Sequence, residues 1–199
     1  MSLSYFIAPI VEGHGEVQAV PVLLRRLATE LVPTSQLSLN PALRVKAGSM
    51  LNDGDYFRKH IELAARKAKQ WPNSCVLILL DCEDTCPREL GPELLNRAQA
   101  CRPDVTIFVV LAYREYETWF LAAAKSLRGV CGLPTDLEPP VDPEVLRDAK
   151  GWLSERMPQP YNEPDHQPKM TAAFAFEEAK AAKSFSRGFN KLRDFFNSV

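Results

Sequence analysis

The chain has few histidines, and its cysteines lack the spacing of a zinc site or a disulfide framework. Three of its 199 residues are histidine, and His14, His60 and His166 share no metal-ligand spacing. The five cysteines are an odd number, and the close pair Cys82 and Cys86 has no second Cys or His pair to complete a zinc set. We therefore expect free thiols, which are typical of the cytoplasm.

An excess of charge of one sign and a long hydrophobic run are also absent. Lys and Arg number 24 against 25 Asp and Glu, so any binding of nucleic acid would need a local basic patch. The longest apolar run is far shorter than a membrane span, and the first one is not preceded by the basic segment of a signal peptide. We expect a single-domain cytoplasmic protein without a membrane partner.

Three apolar runs that each end in acidic residues are the most informative feature that is present. They cover residues 5–16, 75–84 and 105–117. Continuous runs rich in Val, Ile and Phe indicate strands buried on both faces, as in a parallel sheet. The carboxyl ends of such strands meet at one edge, where ligands bind. Carboxylates brought together there repel one another unless a cation lies between them, so we expect an acidic Mg²⁺ or Mn²⁺ site.

The order of elements predicts an α/β fold with an open sheet of about four mainly parallel strands flanked by helices. We expect strands at 4–11, 39–47, 75–80 and 105–111, and helices at 16–32, 56–70, after Pro92 and at 115–127. Residues 1–128 would form this core. Residues 129–199 would form a Pro-rich segment and a C-terminal helical extension packed on the core, with helices at 142–157, 170–183 and 187–197. Half of the 16 prolines lie between residues 129 and 168.

The first acidic cluster surrounds a glycine turn. Glu12 and Glu16 flank Gly13-His14-Gly15, and the glycines permit a tight strand-to-helix turn. Glu12 would then lie at the strand end and Glu16 in the first helical turn, where a favourable interaction with the helix dipole is the ordinary alternative to a functional role. His14 could contact a phosphate, or it could be a solvated loop histidine.

The second and third clusters follow later strands. In an extended segment Asp81 and Glu83 point the same way and could reach one ion, with Asp84 beside them. The alternative is an ordinary acidic loop before the next helix. Glu115 and Glu117 open the next helix, where charge at the helix N-terminus explains Glu115 without a functional role.

The segments VEGHGE, LLDCED, REYETWFLA and KSFSRGF together resemble the DUF4276 family of the Toprim-like superfamily, which includes the Toprim domains of OLD-family nucleases. The resemblance implies a Toprim-like α/β fold. It also implies that Glu12 serves acid/base chemistry or binds metal, and that Asp81 and Glu83 hold Mg²⁺. Glu16 and Glu117 match further acidic positions of the OLD-like nucleases.

The function that the resemblance implies is Mg²⁺-dependent phosphodiester chemistry on nucleic acid, with Glu12, Asp81 and Glu83 as catalytic residues. The second Asp of the family's pair is Glu83 here. Because Asp84 is adjacent, the resemblance leaves open which of the two binds metal.

A polyanionic substrate also needs positive contacts away from the metal. Lys183, Arg187 and Ser184 lie where the family's tail motif begins a helix, and a helix N-terminus can accept a phosphate. Arg114 is a further candidate. The alternative is a solvated basic helix face whose phenylalanines pack inward.

Two other functions fit the same residues. The first is a non-catalytic module that binds nucleic acid or a partner, and the resemblance implies an AAA-type ATPase as that partner. The second is a small-molecule phosphoester hydrolase, in which the Pro-rich segment closes the site. The sequence leaves open DNA against RNA, and a homodimer against other oligomeric states.

Overall fold

The computed structural model describes residues 3–198 and shows one parallel sheet with helices on both faces. Its strands are β1 (Ser4–Val11), β2 (Gln36–Leu39), β3 (Leu43–Arg44), β4 (Ser74–Asp81) and β5 (Ile107–Ala112). The strand order is β2-β1-β4-β5, β3 pairs with the end of β1, and every pairing is parallel. The expected open α/β sheet of parallel strands is confirmed.

The register brings the carboxyl ends of the three central strands to one edge. Val11 at the end of β1 pairs with Leu79 of β4, and Asp81 at the end of β4 pairs with Ala112 of β5. Beyond the strands, the Glu83 amide donates to the Arg114 carbonyl at 3.1 Å in an isolated antiparallel bridge. The acidic segments that follow these strands are therefore neighbours.

The helices are α1 (His14–Leu31), α2 (Ala47–Asn52), α3 (Gly54–Ala68), α4 (Pro87–Cys101), α5 (Thr118–Ala122), α6 (Ala149–Ser154), α7 (Glu163–Ala173), α8 (Phe176–Ala179) and α9 (Lys183–Asn197), with 3-10 turns at Ala124–Leu127 and Val130–Gly132. Alternate side chains of β1 enter two cores. Tyr5 and Ile7 pack among α1, α5 and the C-terminal helices, whereas Phe6 and Ala8 pack against α3 and α4. Both faces of β1 are buried, as its continuous apolar sequence predicts.

Residues after 128 share the first of these cores. The Tyr5 hydroxyl at the start of β1 donates to the Phe196 carbonyl in α9 at 2.7 Å. The Arg26 guanidinium of α1 donates to the carbonyls of Thr171 and Phe174 at the end of α7. The C-terminal helices therefore complete one face of the sheet. The expected core, 1–128, and the expected extension, 129–199, include residues 1, 2 and 199, which lie outside the described residues.

Several expected elements differ in the first 128 residues. The strand expected at 39–47 is the two short strands β2 and β3, because the chain leaves the sheet around Pro41. Residues 47–52 form the short helix α2, where no helix is expected. The helix expected after Pro92 begins at Pro87, a residue type suited to the first helical turn. The helix expected at 115–127 is α5 followed by a 3-10 turn.

The Pro-rich segment differs more. The helix expected at 142–157 is reduced to α6, and its N-cap is Asp148, whose side chain accepts from the Gly151 amide at 2.8 Å. Asp142, at the start of the expected helix, accepts from the Glu144 amide within a turn. The helices expected at 170–183 and 187–197 are redistributed over α7, α8 and α9.

Within residues 3–198, no helix combines the length and the apolar character needed to cross a lipid bilayer.

Candidate functional site

An open cleft of about 430 Å³ lies at the carboxyl edge of the sheet. Side chains from the ends of β1, β4 and β5 line one part of it, and the Pro-rich segment lines the other. The lining residues are Glu12, Asp81, Glu83, Asp84, Arg114, Glu115, Arg147, Asp148 and Lys150. We call this the acidic cleft. It brings together Glu12 and all three acids after β4, as the sequence predicts.

The turn after β1 fixes Glu16 beneath this cleft. The backbone amides of Glu12 and Gly13 donate to Glu16 Oε2 at 2.9 and 3.1 Å. These bonds satisfy two backbone amides at the start of α1. The Glu16 side chain is buried there, at 3% exposure. Gly15 permits α7 to approach this turn, because a Cβ there would lie 2.8 Å from the Glu163 carbonyl oxygen.

Glu117 is the most enclosed acid, with no exposed surface. Its Oε1 accepts from the Tyr161 hydroxyl at 2.8 Å and from Gln167 Nε2 at 3.1 Å. Its Oε2 is buried and has no hydrogen-bond partner in the described part of the chain. A fully buried carboxylate with one free oxygen is unfavourable unless a cation or a proton neutralises it.

The same condition holds at the ends of β1 and β4. Glu12 Oε2 and Asp81 Oδ1 are buried, and neither has a hydrogen-bond partner among residues 3–198. Such groups are rare in native proteins and need a specific explanation, such as an ion. Carboxylate oxygens are the ligands that Mg²⁺ and Mn²⁺ prefer, so these free oxygens fit a divalent cation.

Burial and mutual repulsion perturb these acids together. Burial, followed by repulsion from its neighbours, raises the pKa of Glu12 and of Asp81. Burial also raises the pKa of Glu16 and of Glu117 to about 7, and for Glu16 the charges of Glu117 and Glu12 add to the effect. Clusters of this kind are typical of functional sites. Within residues 3–198, however, no three acids, histidines or cysteines form a ready-made metal-ligand cluster. The acids thus supply free oxygens without a finished ligand shell.

Glu83 and Asp84 differ from the expected extended geometry. Glu83 has a left-handed backbone with φ 45°, so strand alternation does not explain why it lines the same cleft as Asp81. Asp84 lies at the rim, where Arg114 contacts its Oδ1 at 2.7 Å and Arg147 contacts both of its oxygens. The hydrogen bond from Arg114 and the charge of Arg147 lower the pKa of Asp84. Asp84 therefore binds arginines in this structure.

Backbone strain is concentrated at the acidic cleft. Of the four non-glycine residues with positive φ in the described range, Glu83, Arg114 and Asp148 line it. Such conformations are energetically costly for residues other than glycine and occur preferentially at functional sites.

Four residues of this region are not predicted by the sequence. Lys150 lines the cleft and lies 2.5 Å from Glu163 Oε1, and Tyr161 and Gln167 hold Glu117. They come from the Pro-rich segment and α7, whose path over the sheet has no local sequence signal. Charge at a helix N-terminus does not explain Glu115, because it precedes α5 and lines the cleft with a buried Oε2 that has no hydrogen-bond partner within residues 3–198.

The predicted phosphate contacts lie in a neighbouring cleft of about 190 Å³, which we call the basic cleft. Its lining residues are Cys86, Pro87, Arg88, Tyr113, Glu144, Lys183, Ser184 and Arg187. Lys183 and Arg187 are exposed, as phosphate contacts require. Arg114 connects the two clefts, because its Nε donates to the Glu144 carbonyl at 3.3 Å.

Ser184 and His14 are placed less favourably for substrate contact. The Ser184 hydroxyl accepts from Trp119 Nε1 at 2.9 Å, and its amide donates to Glu144 Oε1 at 2.7 Å. The start of α9 therefore already binds a carboxylate of the chain itself. His14 is exposed at the first position of α1 and lines neither cleft.

The fold and the acidic cleft define an α/β protein with a carboxylate site at the carboxyl edge of a parallel sheet. Residues 11–193 match the family model described as "Domain of unknown function (DUF4276)". The match covers most of the chain, which therefore belongs to the DUF4276 family. A search of curated proteins finds no significant match.

Proposed function

We propose that this protein is a Mg²⁺- or Mn²⁺-dependent nuclease of Toprim type that cleaves phosphodiester bonds. The observation that supports the proposal best is a set of buried carboxylate oxygens, on Glu12, Asp81 and Glu117, that have no hydrogen-bond partner in the described part of the chain. They belong to three segments that follow neighbouring strands of one parallel sheet. Edges of this kind are the usual ligand sites of open α/β folds.

The acids have distinct roles in this proposal. Asp81 and Glu117 would hold the cation, with Glu83 contributing from the cleft wall and Glu16 as a further candidate ligand at the start of α1. The bound cation would acidify a water molecule and neutralise charge on the phosphate. Glu12, which is partly exposed and has a raised pKa, is suited to accept a proton from the attacking water.

The cations of the chain favour a polymeric substrate. Arg88, Lys183 and Arg187 line the basic cleft beside the acidic one, so a strand that enters the acidic cleft would place neighbouring phosphates near them. A small phosphoester would not need this second row of charges. The open shape of the acidic cleft also suits a chain that passes through it. We therefore favour nucleic acid over a small-molecule substrate.

The experiment combines Mn²⁺ titration calorimetry with nicking of supercoiled plasmid and cleavage of single-stranded RNA. Asp81→Asn keeps the shape of the side chain and removes the charge of a buried ligand, so binding and cleavage should both be lost. Asp55→Asn, which removes a charge from the exposed first turn of α3, is the matched control and should behave as wild type. Cleavage that persists in EDTA or in Asp81→Asn would refute the proposal.

The binding-module alternative predicts a different result from the same samples. The basic cleft would still bind nucleic acid, but no cleavage would accompany metal binding. Adding the AAA-type ATPase that the family resemblance implies would then decide between a partner-dependent nuclease and a module that only binds.

A further inference from the structure

We propose that Lys150, which Glu163 holds at the wall of the acidic cleft, is the built-in counter-charge of the metal-free acidic site and that it opposes the binding of a divalent cation to the nearby carboxylates. This inference rests on the proposed function, because it presumes that the acids bind a cation. It assigns Lys150 a positioning role that restrains metal affinity, and it makes the Pro-rich segment part of the metal response.

The contacts of Lys150 carry the argument. Its Nζ lies 2.5 Å from Glu163 Oε1, and its half-buried side chain lines the same cleft as Glu12 and Asp81. Burial raises the pKa of Glu12, Asp81 and Glu117, and the positive charge of Lys150 lowers the pKa of each of them. Burial alone would lower the pKa of Lys150, yet Glu117, Glu163 and Asp81 together raise it.

The other cations of the acidic cleft are engaged elsewhere. Arg114 and Arg147 both bind Asp84 at the exposed rim. They therefore compensate a carboxylate that is already solvated, whereas Lys150 compensates carboxylates that are not. Removing Lys150 and removing Arg147 should have different consequences, although each removes one positive charge from the same cleft.

Lys150 lies in the first turn of α6, two residues after a backbone position with positive φ. Asp148, with φ 62°, caps α6 through the Gly151 amide, and the close contact between them leaves no room for a Cβ at Gly151. This turn fixes the Cα of Lys150 beside the cleft, while the long side chain stays flexible. The ammonium group can therefore stay bound to Glu163 when a cation enters the cleft, or move to a substrate phosphate.

Repulsion between the Lys150 ammonium group and a cation that enters the same cleft predicts that Lys150 weakens metal binding. The test is Mn²⁺ titration calorimetry on wild type, Lys150→Met, Lys150→Arg and Arg147→Met. For one nearby, partly screened charge, we expect Lys150→Met to bind Mn²⁺ about tenfold more tightly than wild type. Lys150→Arg should stay near wild type, and Arg147→Met should change affinity by no more than about twofold.

A second readout does not depend on metal. In EDTA at pH 8, Lys150→Met should melt below wild type, because its buried acids have lost their counter-ion, and Mn²⁺ should reverse the difference. Lys150→Gln replaces it if the Met variant does not fold. Equal or weaker Mn²⁺ binding by Lys150→Met, or by Lys150→Gln where it replaces the Met variant, would overturn this inference while the proposed metal site stands. Absence of Mn²⁺ binding in wild type and every variant would overturn both.

Discussion

The substitution Glu117→Gln tests the electrostatic account of the site most directly. It keeps the shape of a fully buried side chain and removes its charge. The amide oxygen can still accept from Tyr161 and Gln167, which are the two hydrogen bonds that hold Glu117 Oε1. The change therefore isolates the electrostatic cost of a carboxylate whose second oxygen has no partner among residues 3–198.

The magnitude follows from the raised pKa of Glu117. Burial raises it from 4.5 to about 7, and a rise of that size corresponds to about 3 kcal/mol of free energy. The folded protein binds this proton more tightly than the unfolded chain does. The stabilisation is therefore complete below pH 4.5 and is lost as the pH rises from about 4.5 to about 7. Above that range metal-free Glu117→Gln should be more stable than wild type by up to about 3 kcal/mol.

Thermal unfolding in EDTA measures the effect. For a chain of this length, about 3 kcal/mol corresponds to roughly 6–12 °C in melting temperature. Wild type should melt at a higher temperature at pH 5 than at pH 8, and Glu117→Gln should lose much of this dependence. Glu89→Gln removes a charge from an exposed helix position and should keep the wild-type profile. Mn²⁺ at pH 8 should raise the melting temperature of wild type and raise that of Glu117→Gln much less.

A melting temperature of metal-free Glu117→Gln below that of wild type at pH 8 would refute this reasoning. The charge of Glu117 would then be compensated within the protein, and no cation would be needed to explain it. A pH dependence unchanged by the substitution would show that other groups titrate between pH 5 and pH 8.

Two further substitutions test the surroundings of the site. Gly15→Ala should destabilise the protein by about 1–3 kcal/mol in chemical unfolding, because the new Cβ would overlap the Glu163 carbonyl of α7. Gly48→Ala is the control, because a Cβ there meets open space and should not destabilise the protein. Equal stability of the two variants would contradict the tight α1–α7 contact. Asp84→Asn should leave Mn²⁺ affinity within about threefold of wild type, because both oxygens of Asp84 bind arginines at the rim. A loss of Mn²⁺ affinity comparable to that of Asp81→Asn would make Asp84 a metal ligand instead.

The sequence predicts the central sheet and the inner helices well, because their signals are local. The expected first strand has the bounds of β1, and the helix expected at 56–70 lies within two residues of α3, whose Ile61 and Ala64 are buried at helical spacing. In both cases the spacing of apolar residues decides which side chains face the core. Acidic residues directly after buried strands likewise predict the position of the acidic cleft.

The remaining features depend on contacts between distant parts of the chain. Tyr161 reaches Glu117 across 44 residues and Gln167 reaches it across 50, so no local pattern announces either partner. The interpretation of Glu115 as a helix residue is also wrong. Glu115 lies in the turn before α5, next to Arg114, whose backbone is left-handed. The Pro-rich segment is the hardest to predict, since its course is set by the surface that it covers.

The division between a sheet core and a C-terminal extension does not separate the site into two parts. The acids come from the sheet edge, but the groups that hold or compensate Glu117 come from the extension, as Tyr161, Gln167 and Lys150 show. Gln167 can reach the site from α7 because Gly15 admits close packing of α7 against α1. Docking of the extension therefore buries the acids and raises their pKa. A bound cation would offset the unfavourable free energy of their buried negative charge. Metal binding and docking of the extension should consequently stabilise each other, since a ligand that binds the folded form alone shifts the equilibrium toward it.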